Sequence, residues 1–118
     1  MYQLYRDRPK FVLAIVLANV VLSLWSITLD SVINNDGITY LAMAELYLDG
    51  DWRTANSYYG WPFYAMLVAA VSKLTFLEVG VSAYLLNTLL ATSLTLAFVA
   101  IVGELSGHHK RTLLLAAV

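Results

Sequence analysis

A chain of 118 residues that is 60% hydrophobic, only 13% charged and has a mean hydropathy of +0.70 does not have the composition of a soluble domain. Its net charge of -1 and pI near 6.0 offer no basic field to a nucleic acid, so no nucleic-acid partner is expected. The absence of cysteine excludes disulfides, thiolate nucleophiles and cysteine-ligated metal centres, which leaves carboxylates and histidines as the groups able to do chemistry.

Residues 1–10 carry Arg6, Arg8 and Lys10 against Asp7, and residues 11–29 then run without a charge. At 1.5 Å per residue that run is roughly 28 Å long, enough for a hydrocarbon core of about 30 Å. A secretory signal has the same basic start and apolar body. The run is long for one, however, and no small-residue cleavage site follows Trp25, so an uncleaved anchor, the first transmembrane helix, is the expectation. Asn19 in its middle is expected to contact a neighbouring helix.

Residues 30–78 hold six acidic side chains, Asp30, Asp36, Glu45, Asp49, Asp51 and Glu78, and two basic ones, Arg53 and Lys73. The basic residues ahead of the first span place the N-terminus in the cytoplasm, so residues 30–78 form an outer, periplasmic or extracellular loop. A short helix is expected at about 37–49, started by Asn35 or Asp36 and ended by Gly50, with Ile38, Leu41, Ala42 and Leu48 on its apolar side. Residues 51–60 read as a loop by composition. A second helix is expected at about 61–77, where the apolar core ahead of Lys73 is short for a span.

If residues 61–77 crossed, the His108, His109, Lys110 and Arg111 cluster would end outside. If they lie along the outer interface, that cluster is cytoplasmic, as the positive-inside tendency favours. The second span is then residues 79–102, about 36 Å if straight. Asn87, Thr88, Thr92, Ser93 and Thr95 along it read as interhelical contacts. Residues 103–111 form a cytoplasmic turn, and residues 112–118 open a third apolar run. The expected fold is therefore all-α and integral to the membrane, with two full transmembrane helices, the start of a third, and juxtamembrane helices in the first outer loop. Such a chain reads as the N-terminal part of a larger polytopic domain, whose remaining transmembrane helices would be its partners together with the lipid bilayer.

Asp36 is the leading catalytic candidate, because a carboxylate just beyond the outer end of a span sits where a lipid-linked head group meets an aqueous acceptor. The same place at a helix start also suits a cap. Tyr40, Ala44 and Tyr47 share a face one and two turns further on. Tyr47, Trp52, Tyr58, Tyr59 and Trp61 fit an interfacial aromatic belt, and Arg53 fits either a phosphate or a salt partner in Asp49 or Asp51. Tyr40, Arg53, Tyr58 and Tyr64 are the substrate-binding candidates. His108 and His109 lack a third ligand nearby, and no metal site is assigned.

In order, the run Asp36, Gly37, Ile38, Thr39, Tyr40, then Ala44, then Gly50, Asp51, Trp52, then Trp61, Pro62, Phe63, Tyr64 resembles the N-terminus of the GT-C superfamily of polytopic glycosyltransferases. It is most similar to bacterial relatives of the dolichyl-phosphate-mannose protein mannosyltransferases and of the lipid A aminoarabinose transferases. Leu105, Ser106 and Gly107 followed by Lys110 and Arg111 occupy the place of that family's later cytoplasmic turn. The resemblance implies a bacterial inner-membrane enzyme that moves a sugar from a polyprenyl-phosphate donor to a lipid, glycan or protein acceptor. It implies Asp36 as the first-loop catalytic acid, with Pro62 and Tyr64 opening a juxtamembrane helix. Gly37 stands where a second acidic residue is common, which weakens an acidic-pair site for a divalent metal, although such a metal remains compatible with the family. Trp61 and Ala65 replace two prolines. The rival expectation is a small helical membrane subunit or scaffold without catalysis, in which Asp36 is only a cap.

Overall fold

The computed structural model describes residues 9–29 and 35–105, and among these every regular element is an α-helix. The helices are α1 (Pro9–Leu29), α2 (Asn35–Leu48), α3 (Trp52–Tyr58), α4 (Phe63–Thr75) and α5 (Val79–Leu105). They fall into two compact units, one of which comprises Met1–Ser26 and Thr88–Val118 and the other Ile27–Asn87. The His108 to Arg111 cluster, the run at 112–118 and Asp30 lie outside the described residues.

In the first unit, Pro9 opens the described part of α1, a place where a fixed φ is compatible with helix. Ile15 of α1 packs with Val99 and Ala100 of α5, flanked by Phe11 and Leu96. Leu17, Leu22, Leu94 and Leu105 are exposed. The Asn19 side chain meets the expectation of a helix contact: its Nδ2 donates to the Ile15 carbonyl at 3.0 Å, and its Oδ1 lies 3.2 Å from the Thr95 hydroxyl. That hydroxyl is also 3.0 Å from the Ala91 carbonyl, so its single proton has two acceptors. Both α1 and α5 are long and apolar enough to cross a membrane. Core helices of a soluble protein of this length would be mostly buried, and these are mostly exposed, which suggests membrane association.

In the second unit, α2 packs against α4 and α3. Its core is Met43, Ala44 and Tyr47 of α2, Ala55 of α3, Ala65, Val68 and Ala69 of α4, and Val79 and Leu86 from the start of α5. Alanines at 44, 55, 65 and 69 let the backbones approach closely, while Met43 and Tyr47 fill the remaining volume. The expected apolar side of α2 holds only in part: Leu41 packs against this core, but Ile38 is 55% and Leu48 38% exposed, and the buried stripe centres on Met43, Ala44 and Tyr47. The reason is shape, because Tyr47 shares this core with the alanines of α3 and α4 and buries a large ring there, against Trp52.

α2 ends as expected at Gly50, which sits at φ +83°. The Gly50 N–H donates to the Tyr47 carbonyl at 3.2 Å and the Asp51 N–H to the Leu46 carbonyl at 2.9 Å, the paired bonds of a Schellman motif. The reading of residues 51–60 as a loop is also corrected. Asp51 caps a seven-residue helix, its Oδ1 accepting from the Thr54 N–H at 3.1 Å. Helix α4 is shorter than expected, starting after Pro62 and stopping at Phe76. Its 13 residues make about 20 Å, well under a bilayer core. Conversely, α5 runs on through Gly103, Glu104 and Leu105, where a turn was expected.

Candidate functional site

Asp36 lies exposed in the first turn of α2, where the helix dipole favours a negative charge. Tyr40 follows one turn later, and its ring is the hub of an aromatic cluster. Tyr59 meets it edge-on with centroids 5.7 Å apart and planes at 88°, and Tyr64 does so at 5.3 Å and 76°. The Tyr64 hydroxyl donates to Asn87 Oδ1 at 3.0 Å, which ties the start of α4 to the start of α5.

Partial burial is the main reason the Tyr40 phenol titrates above its ordinary value of 10.0; the charges of Tyr59 and Asp36 and a side-chain hydrogen bond with Tyr59 add to it. The group therefore stays a neutral donor throughout the physiological range. Asp36 presents an acceptor along one side of α2, with the hydrogen-bonded Tyr40 and Tyr59 hydroxyls beside it. That is the minimum needed to grip a hydroxyl and take its proton.

Of the residues singled out from sequence, Asp36, Tyr40 and Tyr64 come together. Arg53 and Tyr58 do not join them: both are exposed on α3, outside the ring contacts of Tyr40. Asp51 accepts from Thr54, and those bonds hold its carboxyl below the usual 3.8. Two members of the cluster were assigned other tasks by sequence. Tyr59 stood with the aromatic belt, and Asn87 with the interhelical contacts, which is its role here within the second unit. A separate contact joins α2 to α3, where the buried Tyr47, expected in the aromatic belt, meets Trp52 with ring centroids 5.0 Å apart and planes tilted by 60°, and its hydroxyl donates to Asn56 Oδ1.

Among the described residues, no three His, Cys, Asp or Glu side chains gather where they could hold a metal ion. No family model, curated protein or solved structure matches the chain.

Proposed function

We propose that this chain belongs to an integral membrane glycosyltransferase of the GT-C type, contributing its first two spans, α1 and α5, and the outer region between them. The observation that carries this reading is an exposed carboxylate, Asp36, beside a neutral phenol, Tyr40, on a helix that comes between two long apolar helices in chain order. By the charge placement, the N-terminus is cytoplasmic and α2, α3 and α4 face the periplasm or the cell exterior.

In this reading Asp36 accepts the proton of an acceptor hydroxyl or amine as that atom attacks the anomeric carbon of a polyprenyl-phosphate-linked sugar. The bond from that carbon to the phosphate oxygen breaks, polyprenyl phosphate leaves with the electron pair, and the anomeric configuration inverts. The hydrogen-bonded Tyr40 and Tyr59 hydroxyls beside Asp36 orient the acceptor. Contacts to the donor phosphate come from other loops of the full protein. In the full-length protein Asp36→Asn should lower sugar transfer by about 10²- to 10⁴-fold, the usual contribution of a general base. Transfer at the wild-type rate would remove the catalytic assignment.

A second reading, a non-catalytic membrane subunit, is favoured by one observation: the Tyr40, Ala44 and Tyr47 face is used to pack α2 against its neighbours. Under that reading Asp36→Asn leaves assembly and activity of the complex unchanged, while changes at Ala44 disrupt both.

A further inference from the structure

The corner between α4 and α5 has two properties that rarely go together in a turn facing water. Phe76, which ends α4, is held at φ +59°, a left-handed conformation that a bulky aromatic residue rarely adopts, yet its ring is 93% exposed. Leu74 beside it is 79% exposed and Leu77 is exposed as well. Three backbone groups of the turn are meanwhile bonded from within. The Phe76 N–H donates to the Ser72 carbonyl at 2.8 Å, and the Leu77 N–H faces Thr75 Oγ1 at 3.4 Å. The Leu77 carbonyl accepts from the Ser72 hydroxyl at 2.7 Å and from the Ser82 hydroxyl at 3.4 Å, and both serines are buried. Non-helical backbone at lipid depth requires partners of this kind, and here they are in place.

We infer that the corner formed by Leu74, Phe76 and Leu77 is an anchor inserted into the lipid bilayer at the boundary between head groups and acyl chains. The inference rests on α5 crossing the membrane, since the covalent chain then fixes the occupant. Phe76 is three residues ahead of Val79, where α5 begins, and the first turn of a crossing helix lies at that boundary. Lys73 is exposed in the last turn of α4, where its stem can run along the apolar corner while its ammonium reaches lipid phosphate. The outward stripe of α4, Phe63 and Met66 followed by Leu74, continues the apolar surface along the helix. Helix α4 is too short to cross and lies along the bilayer surface, pinned at its C-terminal end.

The chain has no cysteine, so single-cysteine variants of the full chain carry one label each. Phe76→Cys and Leu74→Cys report on the corner, Ser57→Cys on the exposed end of α3, and Leu94→Cys on the middle of α5. Each is labelled with an environment-sensitive fluorophore in phosphatidylcholine vesicles and quenched with iodide on both sides, or with lipids brominated at shallow or deep acyl positions. Labels at 74 and 76 should be quenched by shallow bromines and roughly fivefold less by iodide than the label at 57, as expected for side chains sunk 5–10 Å below the head groups. Iodide quenching equal to that at 57, with Leu94→Cys quenched by deep bromines, overturns the anchor and leaves the spanning helix standing. Protection from both quenchers assigns the corner to a protein contact and overturns the lipid. A label at 94 that deep bromines do not quench removes the membrane reading and the anchor with it.

Discussion

Asp51 accepts a hydrogen bond from the Thr54 amide in its ionised form, so the start of α3 depends on pH in a calculable direction. Its carboxyl is depressed below 3.8, so the cap is complete above that value and is lost as the pH falls through the depressed one. Hydrogen-exchange protection at the Thr54 amide should therefore hold at neutral pH and collapse in acid, and Asp51→Ala should abolish it at every pH. Protection that survives acid in the wild type would show that the ionised carboxylate does not hold α3. The Ser72 hydroxyl is a second local determinant. Ser72→Ala strips the Leu77 carbonyl of its shorter bond while Ser82 remains at 3.4 Å, so a loss of about 1 kcal/mol is expected, read as a lower thermal midpoint in detergent. Both effects are local in sequence, yet by residue type Asp51 reads as a salt partner of Arg53 and not as a cap. The composition of residues 51–60 hid it, because a seven-residue helix has no room for a repeating apolar stripe.

The pairing of α2 with α4 holds the second unit together, and Met43 is fully buried at its centre. Met43→Ala should cost about 2–5 kcal/mol through lost burial and an unfilled cavity, whereas Leu48→Ala on the exposed side should cost far less. Comparable losses at the two positions would mean that α2 buries the other stripe. The helix itself was legible from its period and from Gly50, but its buried face was not. Spacing groups Ile38, Leu41, Ala42 and Leu48 as readily as it groups Tyr40, Ala44 and Tyr47. The choice falls to whichever set fits the alanines of α3 and α4, and a tyrosine counts as polar in a pattern while burying as much area as a leucine. The short α4 was better marked, since Pro62 fixes its start. Nothing in the residue type of Phe76 announces a left-handed end.

For the molecule as a whole, the proposed arrangement puts α3 outside the cell membrane and the end of α5 in the cytoplasm. In intact cells carrying the full-length protein, Ser57→Cys should react with an impermeant thiol reagent, and Leu105→Cys should react only after permeabilisation. The reverse pattern would invert the orientation, and reaction at both positions in intact cells would mean that α5 does not cross.

By itself the sequence determined what depends on composition and chain length: the all-helical class, two helices long and apolar enough for a bilayer, a polar and aromatic region between them in the chain, and Asp36 within it. Those properties belong to a segment and need no partner. Only the tertiary structure decided which side chains share a site. Tyr59 joins Tyr40 from beyond α3, and Asn87 reaches Tyr64 across 23 positions of chain. Contacts of that kind are set by how helices pack, through side-chain shape and close approach at small residues, and no local pattern of residue types encodes them.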